Sequence, residues 1–216
     1  MPSGGPDGLP LMEIIRFMKH PIDRTQVDQA MSYASYRDLI ASLLIERKTT
    51  GSQQSKKLVE YTRLNAARMD RVTKKTAIIP ELMEVLRNLP RNQVWIGLVE
   101  AWCGDVAQSV PVFAKMAVSV PGVTLRLLLR DDNPEVMDAY LTNGRQSIPK
   151  IIGLDKDSLE ELWVWGPRPE PAQSLSEDLK KQGESSEDIA IALQRWYNED
   201  RSQTLQHEVL DLLKKI

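Results

Sequence analysis

The sequence contains a single cysteine, Cys103, among its 216 residues. One cysteine excludes an internal disulfide framework and is typical of a protein from a reducing compartment. The two histidines stand apart without metal-ligand spacing, so we expect no metal site. No apolar run approaches the roughly 18 residues that would predict a membrane-spanning helix.

The charges are almost balanced, because 28 Lys and Arg face 30 Asp and Glu for a net charge of −2. This balance excludes an overall field that would attract nucleic acid. The stretch 53–73 has a basic face, but it is poor in the aromatic residues that stack on bases. Residues 1–10 have neither a basic nor an apolar region of the kind that begins a signal peptide. The sequence therefore predicts a cytoplasmic protein without nucleic-acid or membrane partners; it leaves the oligomeric state open.

Cys103 stands at the junction of two patterns. The continuous apolar run 94–99 is typical of a strand buried on both faces. The apolar residues from Val106 to Val118 then recur every three or four positions, as on one face of a helix. The free N–H groups and the positive dipole of a helix N-terminus favour a thiolate over a thiol. We therefore expect an accessible, reactive sulfur at a strand-to-helix turn.

The remaining pattern predicts a mixed α/β fold. Two short runs, 148–154 and 159–165, are joined by four residues and must form an antiparallel pair. The core order is β-α-β-α-β-β-α, with a right-handed crossover between the first two parallel strands. We expect a flexible N-terminus (1–10), a helical extension (11–78) and a domain with a long C-terminal helix (79–216). Helices are predicted at 11–18, 25–48, 53–73, 80–89, 172–181 and 186–216.

The stretch Trp102-Cys103-Gly104-Asp105, with Pro111 in the next helix and Ile148-Pro149 opening a later strand, resembles the thioredoxin family over about residues 55–170. It is most similar to bacterial thioredoxin-like proteins with a helical N-terminal extension and a single-cysteine motif. The resemblance implies a thioredoxin-like mixed sheet of about four strands flanked by helices. It also implies a cis-proline at Pro149 that faces the catalytic Cys103.

This topology brings four segments to one rim of the sheet, the usual ligand edge of α/β folds. They are 100–105, 130–133, 145–149 and 165–168, and three of them carry an arginine. Each arginine is either a substrate ligand or a partner in a surface ion pair, and Asp105 either caps the helix or repels the thiolate. The predicted substrate groove comprises Trp102, Gly104, Asp105, Val106, Arg130, Arg145, Ile148, Pro149, Gly166 and Arg168.

Two positions depart from the family pattern. Val106 occupies the place of the second cysteine, which releases the mixed disulfide in a dithiol enzyme. Gly97 occupies the place of the buried acid that accepts the proton. The sequence therefore argues against general disulfide reductase activity, and Glu100 or Asp105 could replace the acid only if the geometry allows it.

Two functions remain open. In the first, Cys103 forms mixed disulfides in thiol-disulfide exchange, and an external thiol resolves them. The partner would be a thiol- or disulfide-bearing protein or a small thiol such as glutathione, whose carboxylates the arginines would hold; no resident cofactor is expected. In the second, the fold is redox-silent and presents the Cys103/Pro149 groove to an extended peptide.

Overall fold

The computed structural model describes residues 22–216, so the predictions for 1–10 and 11–18 lie outside the described residues. The elements in chain order are α1 (Arg24–Gln29), α2 (Tyr33–Ile45), α3 (Lys56–Lys75), α4 (Pro80–Arg87), β1 (Gln93–Val99), α5 (Gly104–Val118), β2 (Val123–Leu129), α6 (Pro134–Ala139), β3 (Lys150–Asp155), β4 (Glu161–Trp165), α7 (Glu170–Lys181), α8 (Ser186–Asp200) and α9 (Gln203–Leu213). None of the helices in this part of the chain is long and apolar enough to cross a membrane.

The four strands form one mixed sheet in the order β2-β1-β3-β4. β1 is parallel to β2, while β3 is antiparallel to both of its neighbours. Every residue of β1 is buried, as expected for a central strand covered on both faces. The predicted mixed α/β fold is confirmed. The carboxyl ends of β1, β2 and β4 and the start of β3 therefore meet at one rim.

Helices cover this sheet. α3 packs along α5, α2 contacts α3 and β2, and α9 packs on α4 and β4. Within the core, the indole rings of Trp95 and Trp163 meet edge-on at 5.2 Å, and Phe113 stacks on Trp163 at 6.5 Å. The aromatic cluster fixes α5 on the sheet and thereby fixes the turn before it.

The predicted helix 25–48 is wrong in one respect, because it is divided into α1 and α2. Met31 lies between them and forms an antiparallel bridge with Leu127 of β2. Its backbone N–H donates to the Leu127 carbonyl oxygen at 2.8 Å, and its own carbonyl oxygen accepts from the Leu127 N–H at 2.8 Å. Ser32 then caps α2 through its side-chain oxygen. The edge of the sheet therefore competes for backbone that would otherwise be helical.

The predicted helix 186–216 is also two helices, α8 and α9. Arg201 and Ser202 separate them in the left-handed conformation, with φ of 52° and 64°. Neither glycine nor proline marks this break. The reversal brings α9 back onto α4 and β4, where Val209 and Leu213 are buried.

Candidate functional site

Cys103 is the N-cap residue of α5 and directly follows the end of β1. Its backbone is extended, and its thiol donates to the carbonyl oxygen of Ile148 at 3.4 Å. The residue is half-buried and packs against the core. The Ile148–Pro149 peptide bond is cis. The sulfur therefore lies between the first turn of α5 and the residue before Pro149.

The pKa of the Cys103 thiol is raised to about 12. Burial is the largest cause, and the Asp105 carboxylate is the second. The backbone N–H groups of Val106 and Asp105 and the nearby charge of Arg168 lower the pKa, but they do not compensate. The prediction that the helix N-terminus makes a thiolate the favoured form is therefore wrong for the free protein, because desolvation and a neighbouring negative charge outweigh the helix terminus.

Asp105 neither caps α5 nor stands alone beside the sulfur. Its Oδ2 accepts from the guanidinium of Arg168 at 3.1 and 2.5 Å, and its Oδ1 accepts from the Tyr197 hydroxyl at 2.8 Å. The side chains of Asp105 and Arg168 are 11% and 15% exposed, so this is a buried ion pair. The pair ties the turn at Cys103 to the segment after β4 and to α8.

The segment after β4 is held from both sides. The Glu208 carboxylate on α9 accepts from the Trp165 indole N–H and from the backbone N–H of Glu170, both at 2.7 Å. Between them, the Gly166 carbonyl oxygen accepts from the Lys150 ammonium at 3.1 Å. These contacts fix the direction from which Arg168 reaches Asp105.

Arg130 has a different arrangement. Its guanidinium lies over the Trp102 ring at 4.9 Å and donates to the Asp131 carboxylate at 2.8 and 2.6 Å. It also donates to the Gln146 carbonyl oxygen at 3.4 Å. Arg145 is exposed and forms no ion pair with the residues described. The structure therefore brings the four rim segments together, with two of the three arginines already paired to carboxylates.

The two positions that depart from the family pattern are both packed. Val106 is fully buried in the first turn of α5. A Cβ at Gly97 would lie 2.7 Å from Cδ2 of Leu127 and 3.2 Å from Cδ1 of Ile151, so apolar side chains fill the space of the family's acid. A buried acid does lie nearby. Glu100 is fully buried, and burial raises its pKa.

Glu100 links the turn to the neighbouring rim segment. Its Oε1 accepts from the backbone N–H of Asp131 at 3.0 Å, while its Oε2 has no hydrogen-bond partner among the residues described. The backbone N–H of Ala101, the next residue, donates to the Thr50 hydroxyl at 2.8 Å. The Asp131 carboxylate also accepts from the backbone N–H of Ser52 at 3.2 Å. The loop between α2 and α3 is therefore part of the site's support.

α3 contributes a second support that the sequence reasoning missed. The Asn65 side chain donates to the Ala101 carbonyl oxygen at 2.9 Å and accepts from Arg68 at 2.9 Å. A Cβ at Gly104 would lie 3.8 Å from the Arg68 guanidinium, so this cation stands beside the Cys103 turn. A signal was present, because polar residues recur at core positions of the helix. Its buried residues are Val59, Thr62, Asn65, Met69 and Val72.

Replacing Asn65 with alanine is expected to lower the free energy of unfolding by about 2 kcal/mol, because a buried carbonyl loses its donor. Urea denaturation measures this loss. The control is Asn88→Ala, since the exposed Asn88 side chain also donates to a backbone carbonyl, that of Glu84, at 2.9 Å. Water replaces that bond, so a loss within about 0.5 kcal/mol is expected. Equal losses in the two variants would contradict the supporting role of Asn65.

No three His, Cys, Asp or Glu side chains within residues 22–216 are placed to hold a metal ion. The site instead offers one thiol, a buried acid, and cations held at fixed positions around the thiol.

A family model described as "Thioredoxin" matches residues 51–180. Two solved structures have similar folds. An HIV epitope-scaffold has a TM-score of 0.54 and 17% identity over 86% of this chain and 99% of its own. A protein of unknown function from Pseudomonas aeruginosa has a TM-score of 0.53 and 16% identity over 86% and 98%. The comparison with curated proteins gives no match.

Proposed function

Because the chain belongs to the thioredoxin family, we propose that it is a monothiol member in which Cys103 exchanges disulfides and an external thiol completes the cycle. One observation carries the proposal. Cys103 is the N-cap residue of α5 and its thiol donates to the Ile148 carbonyl oxygen, while the fully buried Val106 occupies the place from which a second thiol would act.

The reaction balances without a cofactor. The Cys103 thiol loses its proton to water, and the thiolate attacks one sulfur of a substrate disulfide, R–S–S–R′. A Cys103–S–S–R bond forms, the substrate S–S bond breaks, and R′–S⁻ leaves and takes up a proton. The thiolate of a low-molecular-weight thiol such as glutathione, G–S⁻, then attacks the R sulfur of the mixed disulfide. A G–S–S–R bond forms, the Cys103–S–S–R bond breaks, and the Cys103 thiolate leaves and takes up a proton. No net oxidation of the protein occurs over the cycle.

The raised pKa sets the rate of the first step. With a pKa of about 12, only about one thiol in 10⁵ is ionised near pH 7, against about 3% of a free cysteine. The more basic thiolate is intrinsically more nucleophilic, which recovers about 40-fold of this loss. With a disulfide that the protein does not hold, Cys103 would therefore react about a hundredfold more slowly than an unperturbed cysteine. Efficient exchange requires a substrate that is held beside the sulfur.

The mixed disulfide is expected to accumulate when the native protein is incubated with glutathione disulfide, because no second cysteine lies three residues on to break it. Intact-protein mass spectrometry under non-reducing conditions measures the adduct and its lifetime. Cys103→Ser should form none. Val106→Cys places a thiol one helical turn from Cys103, so its adduct should decay at least about tenfold faster than that of the native protein.

Two outcomes would contradict the proposal. One is a Cys103 that stays unmodified for a day at pH 9 while the urea-unfolded chain reacts within minutes. The other is an adduct that decays as fast in the native protein as in Val106→Cys. The first outcome would leave peptide binding without redox chemistry as the function of the site.

A further inference from the structure

A polar groove of about 400 Å³ opens beside the Cys103 site. It is lined by the loop 142–147, by Pro167 and Arg168, and by the face of α7 from Gln173 to Lys181. Ser147 directly precedes Ile148, whose carbonyl oxygen accepts from the Cys103 thiol. Two lining residues, Ser147 and Arg168, therefore belong to the segments that meet at the Cys103 turn, and α7 forms another part of the wall.

The groove is strongly basic in a chain that is slightly acidic overall. Four of its lining side chains are cations and one is a carboxylate, whereas the whole chain has a net charge of −2. The cations are Arg145, Arg168, Lys180 and Lys181, and the carboxylate is Glu177.

Part of this positive charge is uncompensated. Arg168 is paired with Asp105, and Lys181 pairs with Asp178 at 3.1 Å in a pair that is mostly exposed to solvent. Neither Arg145 nor Lys180 has a carboxylate within 4 Å in the part of the chain that the structure describes. A helix C-terminus explains a preference for lysine at the end of α7, but it does not explain an arginine on the facing loop.

We propose that this groove binds an acidic segment of a protein whose disulfide is presented to Cys103, an inference that rests on the proposed function. The α7 wall extends over the nine residues from Gln173 to Lys181, which is about 12 Å at about 1.5 Å per step. This distance equals about four residues of extended chain. One carboxylate reaches only a small part of a groove of this length, whereas carboxylates on alternate residues of an extended segment can contact cations along it.

The groove also supplies what the slow thiol needs. A segment held along α7 with its cysteine at the Ser147 end raises the local concentration of the disulfide at Cys103. Effective concentrations in the millimolar range are typical of such intramolecular contacts. A substrate without the acidic segment gains none of this, so the groove would select among disulfides that are otherwise equally reactive.

Fluorescence anisotropy tests the binding with a labelled, cysteine-free hexapeptide of alternating Glu and Ser, and with its Gln/Ser counterpart. At about 0.05 M salt, the native protein is expected to bind the Glu peptide at least about tenfold more tightly. Arg145→Gln combined with Lys180→Gln should weaken binding at least about fivefold. The matched control is Lys74→Gln with Lys75→Gln, which removes two exposed positive charges from the end of α3.

Binding that is equally weakened in both double variants, or is equal for both peptides, would overturn the proposal. Displacement of the Glu peptide by glutathione at concentrations comparable to its own would also overturn it, since the ligand would then be a small thiol. Because the peptides lack cysteine, these results do not depend on thiol chemistry. Versions of the two peptides that carry a disulfide test the chemistry separately. Selective binding of the Glu peptide without adduct formation would contradict only the proposed function. Adduct formation without selective binding would contradict only the proposed role of the groove.

Discussion

Replacing Gly166 with alanine is expected to lower the free energy of unfolding by about 3–5 kcal/mol. Gly166 has φ +117°, a backbone conformation that residues with a side chain rarely adopt. A Cβ there would also overlap the carbonyl oxygen of Pro149 and lie 3.2 Å from its carbonyl carbon. The obstacle is the backbone of Pro149 and Lys150, so no rotamer change relieves it. Urea denaturation monitored by circular dichroism measures the loss.

The control for Gly166→Ala is Gly183→Ala. Gly183 also has a positive φ, +81°, but a Cβ there meets no atom within 4 Å. Gly183→Ala therefore measures the backbone strain alone, for which a loss of about 1 kcal/mol in the free energy of unfolding is expected. A Gly166→Ala loss no larger than this would contradict the close packing of the segment after β4 against Pro149. Because the Ile148 carbonyl accepts from Cys103, the displaced backbone should also change the alkylation rate of the folded variant.

The sheet was predictable because its signals are local. Continuous apolar runs marked the central strand, and a four-residue connection allowed only an antiparallel pair for β3 and β4. The two helix breaks were not predictable, because tertiary contacts cause them. α8 must bring Tyr197 to Asp105, and α9 must bring Glu208 to Trp165. One straight helix cannot place both residues, so the chain reverses at Arg201 and Ser202.

For the candidate site too, some features could be predicted from the sequence and others could not. Topology placed the rim segments near Cys103, because each follows or precedes a strand whose direction was known. The pairing of charges could not be predicted, since Asp105 finds its partners 63 and 92 residues further along the chain. The prediction that the thiol pKa is lowered was wrong for the same reason. A helix N-terminus can be recognised in the sequence, whereas the burial and the carboxylate that outweigh it depend on the folded chain.

Removing the negative and the positive charge of the Asp105–Arg168 ion pair is expected to change the reactivity of Cys103 in opposite directions. The Asp105 carboxylate raises the pKa of the thiol and the Arg168 guanidinium lowers it. Asp105→Asn should therefore lower that pKa and speed alkylation at pH 8 by about three- to tenfold, while Arg168→Gln should raise it and slow the reaction. Rates of iodoacetamide alkylation across pH 7–10, with mass detection, measure both effects.

The dependence of the native protein's alkylation rate on pH is the reference for both variants. With a pKa of about 12, the alkylation rate should rise about tenfold per pH unit throughout this range without a plateau. Both variants break a buried pair and should lose about 3 kcal/mol of stability, so rates are compared where circular dichroism shows each variant folded. Tyr197→Phe is the control, since it removes a hydrogen bond to Asp105 but no charge. A plateau below pH 9 in the native protein, or equal rates in the two charge variants, would mean that burial and Asp105 do not hold the thiol protonated.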